Sequence, residues 1–334
     1  MTKISILDLS PVTEGSTPAD ALHNSLDLAQ HAEQWGFERY WVAEHHNMKG
    51  IASAATSVVI GYIAGGTSSI RVGAGGIMLP NHSPLVIAEQ FGTLASLYPD
   101  RIDLGLGRAP GTDQITSQAL RRTLNASAED FPRDVVELQH YLGNPQPGQR
   151  VTAVPGAGTN VPLWILGSSL FGAQLAAMLG LPFAFASHFA PAAMMQAIEM
   201  YRTQFKPSEQ LQAPHVMLGF NICAADTEEE AHYLRTSSLQ SFLNLRRGIP
   251  GLLPPPSKDF EALMNPQDRE LLSQMSSCSA VGSIDSITQG IAAFIERTNA
   301  DELMLVSSIF DHSKRVHAFE IAAEAAKQTD SKGV

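Results

Sequence analysis

The segment Glu44-His45-His46 places a carboxylate beside two imidazoles, which is the most reactive combination in the sequence. An imidazole titrates near neutral pH, so His45 is a candidate for acid–base chemistry or for a hydrogen bond to a cofactor. A structural histidine with satisfied hydrogen bonds is the alternative, and for His46 it is the preferred one. Two histidines and a carboxylate could also bind a metal ion. Adjacent strand residues point to opposite faces, however, so His45 and His46 would not converge without a turn, and we predict no metal site.

Two glycine-containing loops have the composition of anion-binding sites. One contains Gly107-Arg108-Ala109-Pro110-Gly111 and the other contains Gly167-Ser168-Ser169. Small residues allow backbone N–H groups to approach an oxyanion, and a helix that begins after the serines would favour negative charge at its N-terminus. Arg108 adds a permanent positive charge that can pair with a phosphate.

Both loops also have an ordinary structural explanation. Ser168 or Ser169 could merely cap the following helix. Arg108 could form a salt bridge with Asp103 or Asp113. Each loop by itself is therefore weak evidence for a binding site, and the two together are stronger.

The pair Gly75-Gly76 would allow a flat ligand to approach the backbone closely, although a simple bend is the alternative. Cys223 is expected to fill apolar space in a strand rather than to act as a nucleophile. The sequence contains no G-x-S-x-G motif, so it gives no sign of a serine hydrolase.

The elements that position these residues follow an alternating pattern. Short apolar runs predict eight strands, at residues 4–9, 39–43, 70–74, 101–106, 162–166, 183–187, 216–224 and 302–307. Longer amphipathic runs between them predict helices. The first helix is expected to have Thr17 as its N-cap, Pro18 at its first position and Gly36 at its end. The last helix is expected at residues 312–326.

Eight strands, each followed by helical sequence, predict parallel pairing with right-handed crossovers. Their number favours a (β/α)₈ TIM barrel over a doubly wound sheet, with inserted excursions at about 108–161 and 248–280. No G-x-G-x-x-G follows the first strand, which argues against a dinucleotide-binding fold. We expect a single domain over residues 1–327, with a frayed tail at 328–334.

In a barrel, the active site lies at the C-terminal ends of the strands. The candidate residues all follow predicted strands, and so does the segment Ser187-His188 after the sixth strand. The polar and glycine-rich positions therefore gather on one predicted rim, which indicates an enzyme.

The composition excludes several other classes. The chain has 334 residues, with 22 basic and 33 acidic ones and a formal net charge of −11, which argues against binding nucleic acid or anionic membranes. Its two cysteines suggest no disulfide framework. The N-terminus does not resemble a signal peptide and no apolar stretch is long enough to span a membrane, so we expect a cytoplasmic protein.

Five segments together resemble the luciferase-like monooxygenases. They are Val42-Ala43-Glu44-His45-His46-Asn47, Arg71-Val72-Gly73-Ala74-Gly75-Gly76-Ile77-Met78-Leu79-Pro80 with His82-Ser83-Pro84, Asp100-Arg101-Ile102-Asp103-Leu104-Gly105-Leu106-Gly107-Arg108, Trp164-Ile165-Leu166-Gly167-Ser168-Ser169 and Ala300-Asp301-Glu302-Leu303-Met304. They cover nearly the whole chain in the order that the family shows.

The resemblance implies a (β/α)₈ barrel, usually dimeric, that binds reduced FMN supplied by a separate NAD(P)H-dependent flavin reductase. It implies that His45 lies near the flavin and acts in acid–base chemistry. It places a non-proline cis peptide at Gly75-Gly76, behind the isoalloxazine ring. The residues expected to hold the cofactor are Glu44, Ala74, Gly75, Gly76, Gly107, Arg108, Gly167, Ser168 and Ser169, with the phosphate on Arg108 and the two serines.

Some residues depart from luciferase itself. Luciferase has alanines at the Gly75-Gly76 position, a cysteine where Gly107 stands and an acidic residue where Ser168 stands. These differences argue against light emission and against specificity for long-chain aldehydes.

The leading hypothesis is therefore a two-component monooxygenase. It would use reduced FMN and O₂ to insert one oxygen atom into a small organic substrate, through a flavin C4a-hydroperoxide, while residues 248–280 close over the site. One alternative is a hydride-transfer enzyme that uses the deazaflavin F420. An alternative of another class is a non-catalytic FMN-binding protein.

Overall fold

Parallel strands surrounded by helices form the computed structural model, which describes residues 2–109, 114–120 and 128–331. The strands are β1 (Lys3–Asp8), β2 (Arg39–Val42), β3 (Arg71–Met78), β4 (Ile102–Gly107), β5 (Leu163–Gly167), β6 (Phe183–Phe185), β7 (Val216–Ala224), β8 (Ser279–Gly282) and β9 (Glu302–Val306). The helices are α1 (Pro18–Trp35), α2 (Thr56–Gly65), α3 (Pro84–Leu97), α4 (Gln114–Ala119), α5 (Phe131–Leu142), α6 (Leu170–Leu179), α7 (Met194–Gln204), α8 (Glu228–Arg246), α9 (Phe260–Leu263), α10 (Pro266–Met275), α11 (Ile284–Thr298) and α12 (His312–Ser331).

Eight of the strands close into a barrel. Strands β1 to β6 pair in sequence order, β6 pairs with β7, β7 with β9, and β9 with β1, all of them parallel. The predicted (β/α)₈ TIM barrel is confirmed. The eighth barrel strand is β9, which the sequence placed correctly.

The sequence missed strand β8. It pairs outside the ring with the last four residues of β7, through Asn221 to Ala224. It begins at the end of the segment 248–280, where no alternation of apolar and polar residues is visible, and it pairs with the protruding end of β7. The same segment also contains α9 and α10.

Capping residues set the bounds of the first helix as predicted. Thr17 forms a capping box with Asp20 at the start of α1, and Gly36 ends the helix with φ of 84°. Since a left-handed residue at this position is easiest for glycine, the local sequence alone ends the helix. The last helix differs from its prediction. It continues to Ser331 and buries Thr329, so residues 328–331 belong to α12 and not to a frayed tail.

The barrel has two hydrophobic layers. The larger lies between the strands and the helices, and a smaller one fills the barrel interior. Inside, the rings of Trp41 and Trp164 meet edge to face with centroids 5.1 Å apart. Such a pair fills the middle of the barrel and leaves free space only toward the ends.

An ionic network closes the N-terminal end of the barrel. Arg39 donates to Glu302 at 2.7 Å and to Asp103 at 2.6 Å, and all three side chains are buried. Arg71 also pairs with Asp103. Because this end is filled by charged groups that satisfy one another, the accessible cavity lies at the opposite, C-terminal end. No helix among the described residues is long and apolar enough to cross a membrane.

Candidate functional site

A largely apolar cavity opens at the C-terminal end of the barrel and encloses about 340 Å³ when space open to solvent is included. Its walls come from β1, β2, β3, β5, β6, β7 and β9. The lining residues are Leu7, Trp41, Gly75, Leu166, Ala184, Phe185, Ala186, His188, Met217, Gly219 and Met304. An apolar cavity with few polar groups is the usual form of a small-molecule site.

The peptide bond between Gly75 and Gly76 is cis, as the family resemblance implied. Gly75 faces the cavity, where a Cβ would lie 2.7 Å from Leu7 and 3.1 Å from Trp41. A Cβ on Gly76 would lie 2.7 Å from the carbonyl oxygen of Gly105. Close packing therefore requires both glycines, and Gly75 also leaves space in the cavity.

The side chain of Ala74 is fully buried in the layer between strands and helices, because it alternates with Gly75, which lines the cavity. Ala74 would therefore contact a cofactor through its backbone, and this contact stays a prediction.

Glu44 is the centre of a hydrogen-bonded cluster. Its carboxylate is 1% exposed and accepts hydrogen bonds from the backbone N–H of Met78 at 2.9 Å and from the imidazoles of His46 at 2.7 Å and His82 at 2.8 Å. Burial alone would raise the pKa of Glu44, but the hydrogen bond and charge of His82 hold it below its usual value. Glu44 thus positions the neighbouring segment, and its predicted contact with a cofactor stays a prediction.

The same cluster bears on the metal prediction. The ligand atoms of Glu44, His46 and His82 lie within 4.8 Å of one another, so a metal ion could reach them by distance alone. The sequence argument considered only His45 with His46 and did not recognise His82, which lies 36 residues further along. In the described structure the hydrogen bonds of Glu44 hold the cluster together, and the absence of a metal stays a prediction.

His188 lines the cavity, and His45 lies close enough to it to affect its pKa. Neither Nδ1 atom has a hydrogen-bond partner among the described residues, and both are buried. Burial lowers the pKa of His45. Burial and the nearby His45 lower the pKa of His188 to about 4. Both imidazoles are therefore neutral at pH 7, and each can offer a nitrogen to a bound molecule.

His188 was missed as a site residue, although it follows the sixth predicted strand. Its ring packs on Gly219, where a Cβ would lie only 2.0 Å from the Nδ1 of His188. The amide of Asn221 donates to the backbone carbonyl of His188 at 2.7 Å and fixes the segment. The packing of a histidine from the segment after β6 on a glycine of β7 is a contact that the sequence order does not reveal.

The predicted phosphate loops lie together. The guanidinium of Arg108 is 4.2 Å from the ring centroid of Phe171, in the first turn of α6. Ser169 occupies the N-cap position of that helix without a side-chain capping hydrogen bond, which does not support the interpretation of Ser169 as a mere cap. Ser168 precedes it on the same turn.

The sequence offered Asp103 and Asp113 as alternative salt-bridge partners of Arg108, and the structure decides the first of them. Asp103 pairs with Arg39 and Arg71 at the other end of its strand, so it is not the partner of Arg108. Asp113 lies outside the described residues.

The barrel joins these loops to the histidine segment. Gly107 pairs with Met78 on β3 and with Leu166 on β5, and Leu166 precedes Gly167. The N–H of Met78 in turn donates to Glu44. Arg108, the serine turn and the segment of Glu44 and His45 therefore lie at one end of the barrel, as the sequence predicted.

Comparison with known proteins agrees with this arrangement. The profile of the luciferase-like monooxygenase family matches residues 2–302. A protein from Escherichia coli described as a luciferase-like monooxygenase is 53% identical over 324 residues, which are 97% of each chain. The N-acetyl-S-alkylcysteine monooxygenase of Bacillus subtilis is 42% identical over 190 residues, which are 56% of this chain and 57% of that protein.

Solved structures show the same fold. The crystal structure of apo-MsnO8 has a TM-score of 0.91 at 36% identity and covers 98% of this chain and 99% of its own. Two more distant structures share the fold alone. One is the oxygenating constituent of 3,6-diketocamphane monooxygenase from Pseudomonas putida in complex with FMN, with a TM-score of 0.70, 17% identity and 97% of each chain covered. The other is an F420-dependent secondary alcohol dehydrogenase, with a TM-score of 0.66, 16% identity and 97% of each chain covered.

The structure is a closed parallel barrel with the cis Gly75-Gly76 peptide that the resemblance implied, and the family profile matches most of the sequence. This chain belongs to the luciferase-like monooxygenase family.

Proposed function

We propose that the protein is an FMN-dependent monooxygenase that uses O₂ to oxygenate a small organic substrate. The observation that carries the proposal is the apolar cavity lined by His188, with His45 nearby and a basic loop and a helix N-terminus at the same end of the barrel; neither imidazole has an Nδ1 partner among the described residues. Reduced FMN, when bound, supplies the electrons that activate dioxygen.

The described residues fit a flavin mononucleotide. Arg108 and the turn of Ser168 and Ser169 at the start of α6 would hold the phosphate, since a guanidinium and helix N–H groups both favour an oxyanion. The Gly75-Gly76 backbone offers a surface without side chains for the face of the ring system. Gly107 and Gly167 lie in the two loops at the phosphate end.

His45 would take part in proton transfer. Its neutral imidazole has a buried Nδ1 without a partner among the described residues, so it can accept a proton or a hydrogen bond from a reacting group that reaches it. Glu44 fixes the backbone next to it through Met78. The segment 248–280 would exclude water, and its residue Leu253 already forms backbone hydrogen bonds with Val12 and Glu14 at the same end of the barrel.

Other proteins support this proposal. A structural neighbour with the same fold binds FMN, and a relative oxygenates N-acetyl-S-alkylcysteines according to its name. A thioether or a similarly small organic molecule is accordingly the substrate class that we propose.

Reduced flavin would come from a separate NAD(P)H-dependent flavin reductase.

A homodimer is also proposed. Val58 on α2 is 70% exposed and Tyr62, one turn further along the same helix, is also exposed. Such apolar side chains on an outer helix are suited to a twofold contact. Val58→Glu should convert a dimer to monomers in light-scattering chromatography, and a monomeric wild-type protein would contradict the proposal.

The phosphate assignment can be tested with a matched pair of ligands. Arg108→Gln should raise the Kd for FMN about tenfold or more, because a charge-assisted hydrogen bond is lost, and should leave the Kd for riboflavin unchanged. The exposed Arg150→Gln serves as the control. Equal effects on FMN and riboflavin would remove Arg108 from the phosphate site.

The role of His45 can be tested by product analysis. With a flavin reductase, NADH and a panel of thioethers, ketones and sulfonates, His45→Ala should divert oxygen from the organic product to hydrogen peroxide while FMN still binds. An unchanged yield of oxygenated product would exclude His45 from the reaction. Tight FMN binding without any turnover by the wild type would instead favour a non-catalytic flavin-binding protein.

A hydride-transfer enzyme using F420 is the second candidate. It is favoured by the F420-dependent dehydrogenase that shares the fold. Parallel titrations with FMN and F420 distinguish the two, since a lower Kd for F420 together with anaerobic alcohol oxidation would replace our proposal.

A further inference from the structure

A second pocket, which encloses about 470 Å³ when space open to solvent is included, lies further along two of the strands that line the first cavity. Along β7, Met217 and Gly219 line the first cavity, and Asn221, two residues further on, lines the second. Along β9, Met304 lines the first and Val306 the second. Because residues two apart on a strand share a face, the two spaces follow one another along the same strands.

The second pocket is completed by α8, β8 and the segment after β9. Its lining residues are Asn221, Ile222, Cys223, Arg235, Ser238, Leu239, Ser279, Val281, Val306 and Ser308. Arg235 is the one charged side chain in this lining. The other polar groups are an amide and three hydroxyls.

Arg235 has no counter-ion among the described residues. Burial lowers its pKa, and the nearby Cys223 only partly opposes this shift. Burial raises the pKa of the Cys223 thiol to about 12, so the thiol is neutral and does not compensate the positive charge. A half-buried guanidinium without a counter-ion remains available to an anion that enters the pocket.

The surrounding groups suit an oxyanion. A guanidinium presents N–H donors in a planar fork that matches a carboxylate or sulfonate. Asn221 uses one of its amide hydrogens to bond the carbonyl of His188 and keeps the second for another acceptor. The same residue thus touches both the pocket of Arg235 and the segment that carries His188 into the first cavity.

We infer that Arg235 binds an anionic group, a carboxylate or a sulfonate, of the organic substrate, whose oxidisable atom extends into the cavity of His45 and His188. This inference rests on the proposed function and specifies its substrate class. The net charge of −11 gives the rest of the molecule no general attraction for anions, so Arg235 must supply the attraction for an anionic substrate.

The first experiment needs no turnover. Methanesulfonate and the neutral dimethyl sulfone, which has nearly the same shape, are compared as additives in thermal unfolding. Methanesulfonate should raise the Tm of the wild type more than that of Arg235→Gln, whereas dimethyl sulfone should change the Tm of both proteins equally. The exposed Arg246→Gln on the same helix is the control for general salt effects and should behave as the wild type. Equal responses of all three proteins to methanesulfonate would overturn the inference.

The second experiment measures selectivity. N-acetyl-S-methylcysteine and its carboxamide are oxygenated by wild type, Arg235→Gln, Arg235→Lys and Arg246→Gln. The wild type should prefer the acid, and Arg235→Gln should lose about tenfold or more in kcat/KM for the acid, mainly through KM, with little change for the carboxamide. Arg235→Lys should recover part of the preference. Equal kcat/KM for acid and carboxamide in the wild type would contradict the inference while leaving a monooxygenase function intact.

The Kd for FMN shows whether the anion bound by Arg235 belongs to the organic substrate or to the flavin phosphate. Arg235→Gln should leave the Kd for FMN unchanged, whereas Arg108→Gln should raise it. A raised Kd for FMN in Arg235→Gln would mean that the flavin phosphate occupies this pocket, which would overturn the assignment to the substrate. A protein that binds no flavin at all would defeat the proposed function, and the methanesulfonate comparison would still decide the role of Arg235.

Discussion

At the scale of single residues, the position of His188 depends on the absence of a side chain at residue 219. The ring occupies the space next to Gly219 and carries an unpartnered Nδ1 at the cavity. A buried polar atom without a partner is unfavourable unless a ligand completes it. The site therefore needs a residue without a side chain at position 219 on β7, and it needs a ligand that completes the hydrogen bonds of the imidazole after β6.

We expect Gly219→Ala to destabilise the protein by about 1–3 kcal/mol, because the new Cβ overlaps the His188 ring. In a His188→Ala background the same change should cost close to nothing. Urea unfolding of the four proteins of this cycle measures the difference. Gly251→Ala, where a Cβ meets nothing within 4 Å, is the control. Equal costs in both backgrounds would show that the ring is not placed against Gly219.

The lowered pKa of His188 predicts a dependence of stability on pH. The unfolded chain binds a proton at this histidine below about pH 6.5, whereas the folded protein does so only near pH 4. The free energy of unfolding should therefore fall as the pH drops from about 6.5 to about 4. In His188→Gln this decrease should be smaller by about 1–3 kcal/mol. His45, the neighbour that contributes to the shift, is kept unchanged in both proteins.

The direct measurement is an NMR titration of the imidazole signals. His188 should titrate near pH 4 in the wild type. A midpoint near 6.5 would show that the ring is exposed to water and would remove the argument for a neutral imidazole pair.

At the scale of elements, the segment between α8 and α9 is attached to the mouth of the barrel. The N–H of Leu253 donates to the carbonyl of Val12, and the N–H of Glu14 donates to the carbonyl of Leu253, both at 2.9 Å. The Leu253 side chain is buried, while Ile249 in the same segment is 62% exposed. A few contacts thus hold a segment that otherwise has little core of its own.

We expect Leu253→Ala to open this segment locally, because few other buried contacts hold it. The amide of Glu14 should exchange its hydrogen faster, while strands β1 to β6 keep their protection. Ile249→Ala should leave the exchange of Glu14 unchanged. Unchanged exchange in both variants, or an equal loss of protection throughout the barrel, would contradict local opening.

At the scale of the whole molecule, the charged network at the N-terminal end joins segments that are far apart in the chain. Arg39 on β2 connects Asp103 on β4 with Glu302 on β9. Burial alone would raise the pKa of Glu302, but Arg39 and further hydrogen bonds lower it to about 2. The network therefore helps to hold the closed ring at neutral pH, when the carboxylates are ionised.

Arg39→Met should destabilise the protein by about 3–5 kcal/mol, since it leaves buried carboxylates without their main partner. Lys3→Met removes the half-exposed pair with Glu38 and should cost no more than about 1 kcal/mol. Because the stabilisation by ionised Glu302 is present above about pH 4.5 and is lost toward pH 2, the difference between wild type and Arg39→Met should shrink in acid. A constant difference across this range would contradict the role of Glu302.

The sequence by itself determined the barrel and most of its elements. Apolar alternation and caps such as Thr17 and Gly36 act over a few neighbouring residues, so they can be recognised without the fold. The position of Arg108 and His45 after predicted strands was enough to place both at the C-terminal end, because parallel strands of a barrel all end on one face.

Only the tertiary structure decided which of these residues meet. Contacts between distant segments decide that His46 and His82 share the carboxylate of Glu44 and that His188 packs on Gly219. They also decide that Arg235 has no counter-ion within the part of the chain that the structure describes. Strand β8 likewise exists only because β7 extends beyond the ring. Local sequence specifies local conformation, whereas burial and pairing of charged groups are set when the ring of strands closes.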